Sequence, residues 1–384
     1  MVSKSGKLSS QEILKKNVLN ADLCTGCGAC VNLCPYQVIY HDRTVQLHRC
    51  DLDDGKCRAF CPRSEIDLGL LRSSLYDAED LTPEIGAVKG YYLSRATDPQ
   101  LREIAQHGGT VTALIELALN AGLIDSAVVS AGNQQHDQSG FNAKDKTSLR
   151  KNAGSKFTVS PTVAAFNQTA AKNDGNIGVV ATPCQALALA KMKLKFLPDD
   201  TGNIDKLKIV IGLYCGWTLA QDKFQALLLQ NNINPAKITG MDIPAGKKAL
   251  LINTGSGEKL ISFDQVESCI REACRYCIDS TAEFADISVG SARFGDKWEE
   301  MRGWNQMIVR TARGRQLVDL ALDRGVLEIR EVPDGILKEL KKAAAEKKRT
   351  ALKNIIRKSG SAKNLLYLNS SDPLVRKFLE KIKR

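Results

Sequence analysis

The chain has 384 residues, a formal net charge of +11 and 43% hydrophobic residues, a composition that favours a globular protein of one to three domains. It has no apolar run long enough to cross a bilayer, and residues 1–17 lack the apolar core of a signal peptide. We therefore expect a cytoplasmic protein that is not transmembrane. Residues 338–358 carry nine Lys or Arg against two Glu, so the excess charge is local and does not indicate a nucleic-acid surface.

Twelve cysteines in such a chain favour metal or redox chemistry, because the cytosol keeps thiols reduced. The run CTGCGACVNLCP has the C-x2-C-x2-C-x3-C-P spacing, in which three thiolates hold one face of a 4Fe-4S cluster and the fourth binds the other cluster of a two-cluster ferredoxin. The alternative is a structural zinc site, which more often pairs two separated C-x2-4-C elements. The four cysteines of this run are Cys24, Cys27, Cys30 and Cys34.

Residues 49–64, RCDLDDGKCRAFCPRS, have the second half of the ferredoxin pattern with one cysteine missing. By the interleaving rule, Cys61 completes the first cluster with the three close thiolates of the first run. The second cluster then lacks one thiolate, and an oxygen ligand from Asp53 or Asp54, a solvent ligand or a three-iron cluster fills the gap. Loss of the second cluster is the alternative. The three thiolates of the second site are those of Cys34, Cys50 and Cys57.

Between residues 89 and 332, short β-rich runs alternate with helical patterns, which favours an α/β sheet. The β-rich runs are SAVVSA, IGVVATP, KIVIGLYC and QMIVRT, and the clearest helical pattern is TVTALIELALNAGLI. Residues 129–156 are polar and rich in Asn, Gln, Gly and Ser, so we predict a long surface loop there. We divide the chain into a cysteine-rich domain (1–66), a linker (67–88), the mixed segment (89–332) and a basic helical tail (333–384).

Five further cysteines lie in the mixed segment. Cys184 and Cys215 each follow an apolar run typical of a buried strand, so we expect their thiols to meet at one edge of the sheet. Cys274 and Cys277 add a C-x2-C pair, which gives four ligands for one proximal cluster and leaves Cys269 as a spare. The alternative is that Cys184 and Cys215 are small buried hydrophobic residues.

Five ordered motifs between about residues 88 and 330 resemble those of the family of coenzyme F420 hydrogenase/dehydrogenase beta subunits. The motifs are HGGTVTALIELALNAGLIDSAVV, AGSKFT, ATPCQALAL, LYCGW, and CRYCIDSTAEFADISVG with the later GWNQMIVRTARG. The resemblance implies FAD, at least one 4Fe-4S cluster beside it and, in many members, coenzyme F420, a deazaflavin that carries hydride. The fold class it implies is α/β (α+β), with a ferredoxin-like cluster domain, a mixed-sheet flavin-binding domain and a C-terminal basic helix.

The resemblance also implies which residues hold the flavin. HGGTVTAL supplies glycines and a helix N-terminus, which the flavin diphosphate needs for close backbone approach and for its charge. Taken alone, a Gly-Gly pair before an apolar helix is more often an ordinary turn. Lys156 is a candidate for a phosphate or for the flavin edge, and no catalytic side chain is assigned. The candidate cofactor-binding residues are Gly108, Gly109, Thr110, Thr112, Gly154, Ser155, Lys156, Thr182, Pro183, Asp286, Ser288, Gly290, Trp304 and Asn305.

After ISVG the chain has SARFGDKWEEM where the family pattern has a shorter Gly-rich turn, so the departure puts the identity of the hydride donor in question.

We predict a subunit that exchanges hydride between coenzyme F420 and FAD and passes single electrons through two or three 4Fe-4S clusters. Its partner in a hetero-oligomeric complex would be a hydrogenase, formate dehydrogenase, heterodisulfide reductase or similar enzyme. The alternatives are a different donor, such as ferredoxin, and a relay subunit without flavin.

The basic tail has an apolar stripe at helical spacing, which predicts an amphipathic helix. Such a helix either packs on its own domain or docks on an acidic partner. The residues of the stripe are Leu337, Leu340, Ala344, Leu352 and Ile355.

Overall fold

The computed structural model describes residues 8–132, 138–172, 175–194, 203–244, 247–292 and 301–382. The helices in these ranges are α1 (Ser10–Leu14), α2 (Lys56–Ala59), α3 (Leu68–Leu75), α4 (Pro99–Ile104), α5 (Thr110–Asn120), α6 (Lys146–Lys151), α7 (Thr162–Lys172), α8 (Pro183–Lys193), α9 (Gln221–Gln230), α10 (Phe263–Glu267), α11 (Ala312–Asp323), α12 (Ile336–Ser359) and α13 (Pro373–Glu380). The strands are β1 (Gln37–Tyr40), β2 (Arg43–Gln46), β3 (Leu81–Thr82), β4 (Gly86–Ala87), β5 (Gly90–Ala96), β6 (Ser126–Gly132), β7 (Gln138–Ala143), β8 (Ile177–Ala181), β9 (Leu207–Leu213), β10 (Ile238–Asp242), β11 (Ala249–Thr254), β12 (Gly257–Ser262), β13 (Ile287–Ser291), β14 (Asn305–Val309) and β15 (Leu327–Glu331).

The mixed segment is built on an eight-stranded sheet with the strand order β15-β5-β14-β13-β9-β8-β6-β7. The four neighbours β6, β8, β9 and β13 run parallel, and the flanking strands pair antiparallel. The four predicted β-rich runs form β6, β8, β9 and β14, so this part of the prediction is confirmed. Because the parallel strands point the same way, their carboxyl ends meet at one edge of the sheet.

Helices cover both faces of the parallel strands, which explains why these strands are apolar throughout. In β8, Val179 packs into the core formed with α7 and α8, whereas Val180 packs into the core formed with α5 and α11. Alternate residues of β9 divide in the same way, with Val210 on the first face and Ile211 on the second. The doubly covered sheet is the rigid support for the loops at its edge.

The prediction of a long loop over residues 129–156 is wrong. Strand β7 and helix α6 lie within this stretch, and only residues 133–137 fall outside the described ranges. β7 is an edge strand that pairs with β6 alone, and edge strands tolerate the polar residues that indicated a loop. At Gly140, an added Cβ would lie 2.5 Å from the Cβ of Ala165 in α7, so the strand is packed closely against that helix.

The cysteine-rich segment packs directly on the sheet domain. Gly28 has a φ of +80°, and an added Cβ would lie 2.6 Å from the Cβ of Ala164 in α7. Asn167 of α7 donates a hydrogen bond to the Val31 carbonyl at 2.8 Å. Arg271 donates to the carbonyls of Cys24 and Thr25 at 2.9 and 2.8 Å. These contacts fix the first cysteine run relative to the C-x2-C pair near Arg271.

Residues 67–88, which the sequence predicts to be a linker, are folded. Helix α3 begins after Asp67, whose carboxylate caps the helix, and Leu71 is buried. Glu283, at the sheet edge, forms ion pairs with Arg72 of α3 and with Lys348 of α12. The stretch therefore belongs to the same packed body as the tail.

The predicted tail helix is confirmed as α12. Ala344, Leu352 and Ile355 of its apolar stripe are buried against the rest of the chain, and Leu337 and Leu340 pack beside them. This stripe therefore covers the chain's own core. In the part of the chain that the structure describes, no helix combines the length and apolar character needed to span a membrane.

Candidate functional site

A cleft of about 660 Å³ opens where the parallel strands end. This volume is within the range of pockets that enclose small organic ligands and cofactors. One wall follows the strands, with Thr182 after β8, Tyr214 after β9 and Ser291 at the end of β13. The start of α5 forms another part of the wall. Ligand sites at the carboxyl edge of parallel strands are a general feature of α/β sheets.

Most of the predicted cofactor-binding residues line this cleft, although they come from distant parts of the sequence. The structure brings together Gly109, Thr110, Thr112, Gly154, Ser155, Lys156, Thr182, Pro183, Gly290 and Asn305.

The N-terminus of α5 faces the cleft. Gly109 precedes the helix with a φ of +76° and has no side chain with which to cap it. Asn305 accepts a hydrogen bond from the Thr110 amide at 3.3 Å, which ties the helix start to β14. Gly108 packs against Asn305, since an added Cβ at Gly108 would lie 2.8 Å from Oδ1 of Asn305. The positive end of the helix dipole and its free amides make this wall suitable for a negatively charged group.

Three predicted residues support the fold and do not line the cleft. Asp286 accepts hydrogen bonds from the Val210 amide and the Thr311 hydroxyl, both at 2.8 Å. Ser288 accepts from the Arg310 guanidinium at 2.7 Å. The motif in which they lie predicts both side chains as cofactor ligands. In the structure, their hydrogen bonds join neighbouring segments of the sheet domain.

Trp304 is the third of these residues. Its ring is 3% exposed and lies between the guanidinium groups of Arg95 and Arg330, at 4.4 and 4.3 Å from the ring centroid. This packing closes the end of the sheet beside β5 and β15.

The SARFGDKWEEM stretch, in which the chain departs from the family pattern, falls mostly on residues 293–300, outside the described ranges.

Two polar groups of the cleft have few partners in the protein. Burial lowers the pKa of Lys156, whose Nζ donates to the Ala153 carbonyl at 3.2 Å. The Tyr214 hydroxyl is buried and has no hydrogen-bond partner among the described residues, and its burial raises its pKa. Sequence reasoning missed Tyr214, although it directly precedes Cys215 in LYCGW. A bound molecule with polar edges would give Lys156 a further partner, whereas the Tyr214 hydroxyl has no surface open to the cleft.

The cysteines gather into groups whose thiols influence one another's ionisation. Burial raises the pKa of Cys30, and the charges of three other thiols raise it further. Burial likewise raises the pKa of Cys57 and of Cys215, with further contributions from the neighbouring thiols of their groups. The first group is Cys24, Cys27, Cys30 and Cys61. The second is Cys34, Cys50 and Cys57. The third is Cys184, Cys215, Cys274 and Cys277.

These groups coincide with the ligand sets predicted from spacing. Cys269 is apart from them, buried among Leu219, Phe224 and Val266 beside the three-stranded sheet of β10, β11 and β12. Within the described ranges, no three Cys, His, Asp or Glu side chains close around a single metal ion.

The third group lines the cleft and has two cations beside it. Burial opposes ionisation of the Cys277 thiol, but the charges of Arg63 and Lys347 outweigh it and lower its pKa. Lys347 Nζ donates to the carbonyls of Cys215 and Gly216 at 2.7 and 2.8 Å. The Thr218 amide lies 3.4 Å from the Cys274 sulfur. Such donors and charges stabilise thiolates as metal ligands.

The first and third groups are neighbours. Burial raises the pKa of Cys27, and the thiol charge that adds most to this effect is that of Cys184. Cys61 also contributes to the pKa of Cys27, and its own pKa rises to about 11 mainly through burial. The side chain of Asp53, a predicted ligand of the second group, is exposed, and its carbonyl accepts a hydrogen bond from Ser10 at 2.6 Å.

Comparison with known proteins gives the family. The model for the N-terminal part of the coenzyme F420 hydrogenase/dehydrogenase beta subunit matches residues 91–167, the model for its C-terminal part matches 174–335, and a 4Fe-4S binding domain matches 18–40. The beta subunit of the coenzyme F420 hydrogenase of Methanothermobacter thermautotrophicus is 31% identical over 283 residues, which are 71% of this chain and 95% of that protein. The chain belongs to the family of coenzyme F420 hydrogenase/dehydrogenase beta subunits.

Other relatives agree with this membership. One subunit of the F(420)H(2) dehydrogenase of Methanosarcina mazei is 27% identical over 322 residues, 82% of this chain and 86% of that protein. A chain of the F420-reducing NiFe hydrogenase complex from Methanosarcina barkeri has the same fold, with a TM-score of 0.65, 24% identity, and coverage of 72% of this chain and 94% of that one.

The predicted family, fold class and oxidoreductase assignment are confirmed by these matches. The chain is thus an oxidoreductase with a 4Fe-4S binding domain. Helix α12 begins at Ile336, just beyond the family match that ends at residue 335. Lys347, which contacts the third cysteine group, therefore comes from a segment outside the matched region, and sequence reasoning had no motif by which to find it.

Proposed function

We propose that the chain exchanges hydride between coenzyme F420 and an FAD held in the cleft, and passes single electrons through 4Fe-4S clusters to or from a redox partner protein. FAD, when bound, supplies the conversion between two-electron hydride transfer and one-electron transfer. The observation that carries the proposal is that a single cleft is lined both by the N-terminus of α5 and by all four cysteines of the third group.

The residues of the cleft fit the chemistry of FAD. The amides of α5 that follow Thr110 are donors for the diphosphate, and Gly109 allows the left-handed turn that precedes them. Gly154 has no atom within 4 Å of an added Cβ, so this loop leaves room beside Ser155 and Lys156. Lys156, whose Nζ has only the Ala153 carbonyl as a hydrogen-bond partner among the described residues, lines the cleft, where it can donate to an electron-rich edge.

The cysteine groups supply the route for single electrons. We assign the proximal cluster to the third group, since it borders the cleft, and the next cluster to the first group, because Cys27 lies beside Cys184. A third cluster in the second group would be the outermost. In this scheme residues 1–66 hold two clusters and residues 89–332 hold the flavin and the proximal cluster. The protein's role is to position the cofactors, because the hydride chemistry belongs to them.

The partner is proposed from the relatives alone. Their names describe subunits of F420-linked hydrogenase and dehydrogenase enzymes, so we propose that this chain also works in a hetero-oligomeric complex. A hydrogenase, a formate dehydrogenase or a heterodisulfide reductase would serve as the acceptor or donor of its electrons.

Paired glycine variants test the flavin site. Gly109 and Gly122 flank α5, and both have positive φ, of +76° and +69°. Gly109→Val is expected to abolish FAD binding in anaerobically purified protein, because a side chain at this left-handed position meets Ala96 and Leu101 and displaces the start of α5. Gly122→Val carries similar backbone strain at the far end of the helix and should retain FAD. Equal FAD content in both variants would contradict the assignment, and full iron content without FAD in the wild type would favour a pure relay subunit.

A further inference from the structure

Arg63 lies between the first and the third cysteine groups. Its backbone amide donates to the Cys61 sulfur at 3.4 Å. Its guanidinium donates to the carbonyl of Ala273, directly before the C-x2-C pair, at 3.3 Å. The side chain also lines a cavity of about 20 Å³ together with Cys184 and Cys277. One residue therefore contacts the first group through its backbone and the walls of the third group through its side chain.

The guanidinium is held in place by the tail of the chain. Arg63 is 4% exposed, and its guanidinium carbon lies 4.5 Å from the centroid of the Tyr367 ring. The Tyr367 hydroxyl donates to the carbonyl of Tyr276, directly before Cys277, at 2.7 Å. The Tyr367 carbonyl accepts from the Ile66 amide at 3.1 Å. Tyr367 thus joins the segments that follow Cys61 and precede Cys277, with Arg63 between them.

Helix α8 shows how close the two groups are. Cys184 lies in the first turn of this helix, and Lys191, seven residues later, donates to the Cys61 carbonyl at 2.8 Å. An α-helix rises 1.5 Å per residue, so a helical segment of about 10 Å leads from the third group to the first. A charge at this junction acts on both groups, because electrostatic interactions reach over such distances in a buried region.

The Arg63 guanidinium is a buried charge without a carboxylate partner in the part of the chain that the structure describes. The ion pairs found there do not include it, and its Nε atom has no hydrogen-bond partner among these residues. Burying a charge without an opposite charge is costly. A guanidinium also keeps its proton in proteins. The thiolates of the two groups, with the clusters they would bind, are the negative charges that balance it.

We propose that Arg63 is a fixed counter-charge shared by the proximal cluster and the cluster of the first group, so that it raises both potentials together. The inference rests on the proposed function, since it requires a cluster in each group. Each electron makes a cluster more negative, and a nearby cation therefore favours the reduced state. Lys347 differs from Arg63, because its Nζ contacts the third group alone, through the carbonyl of Cys215.

A redox titration of the full chain, purified anaerobically and followed by electron paramagnetic resonance, tests the proposal. Arg63→Gln and Arg63→Met remove the charge, and each should make two cluster potentials more negative by at least a tenfold change in the redox equilibrium, about 59 mV. Lys347→Gln should shift one potential only, and the exposed Lys342→Gln should shift none. Unchanged potentials in an iron-loaded Arg63→Gln or Arg63→Met protein, or a shift of a single cluster, would overturn the proposal.

Arg63→Lys keeps the charge and covers the case in which both neutral variants lose their iron. It should retain full iron and sulfide, with both potentials within about threefold of the wild-type equilibrium. Iron loss or a tenfold shift in Arg63→Lys would overturn the proposal, because the site would then require the shape of the guanidinium rather than its charge. Failure of the proposed function gives a different result, since the wild type itself would lack iron and sulfide for one of the two clusters.

Discussion

The buried ion pairs of Glu283 connect the tail to the body of the protein and give a sharp prediction for stability. The side chains of Lys348 and Glu283 are 2% and 4% exposed, and Lys348 also donates to the Ile278 carbonyl at 2.9 Å. Lys348→Ala removes one partner and leaves a buried carboxylate with Arg72 as its remaining cation. Breaking a buried pair in this way costs about 3–5 kcal/mol, and because Arg72 remains we expect a loss of about 3 kcal/mol in the free energy of unfolding.

The same variant should change the pH dependence of stability. Burial opposes ionisation of Glu283, but the charges of Lys348 and Arg72 outweigh it and lower its pKa. A carboxyl group with a lowered pKa contributes stability above its unfolded pKa of about 4.3, and this contribution is lost as the pH falls through the folded pKa. Without Lys348 the folded pKa rises, so the contribution above the unfolded pKa is smaller, and the difference in unfolding free energy between the variant and the wild type should narrow as the pH falls.

Urea unfolding, followed by circular dichroism under anaerobic conditions at pH 7 and at pH 4, measures both effects. Lys353→Ala is the matched control, because Lys353 lies on the same helix and is exposed. We expect it to change the unfolding free energy by less than about 0.5 kcal/mol. If Lys348→Ala and Lys353→Ala unfold at the same urea concentration at both pH values, the buried network does not hold the tail in place.

Three further changes test the cluster route and the tail. Cys277→Ser should stop electrons from reaching the partner while the hydride donor still bleaches the flavin. The control Cys269→Ser should change electron transfer little. Unchanged electron transfer in Cys277→Ser would exclude Cys277 as a cluster ligand. Lys347→Gln should make the potential of the proximal cluster more negative, since a nearby cation favours the reduced state, whereas the exposed Lys342→Gln should leave a redox titration unchanged. Truncation after Asp334 removes buried residues of α12 and should yield unfolded protein rather than merely weaker complex formation, which limited proteolysis can check.

Local patterns in the sequence were sufficient to predict much of this site. The apolar runs before Thr182 and Tyr214 are buried strands, and helices pack on both of their faces. Because these strands are parallel, their carboxyl ends and the cysteines that follow them converge at one edge of the sheet. The glycines before α5 were also informative, because Gly109 adopts a left-handed φ of +76° that a residue with a side chain rarely adopts.

What the sequence could not predict depends on packing between distant segments. β7 is polar because it is an edge strand, which looks like a loop in the sequence. Lys347 comes near Cys215 only after the tail packs against the sheet domain. Asp286 lies within a motif, but the motif does not reveal that its carboxylate points to Val210 and Thr311.

The central claim is that the cleft transfers hydride from reduced coenzyme F420 to FAD. Its most direct test is an anaerobic titration of the purified protein with reduced F420 and, separately, with NADH, while flavin absorbance and cluster absorbance are recorded. We predict that reduced F420 bleaches the flavin and then the clusters, that NADH does not, and that Gly109→Val loses the response to reduced F420 while keeping its iron. Flavin reduction by NADH but not by reduced F420, or an unchanged response in Gly109→Val, would contradict the account.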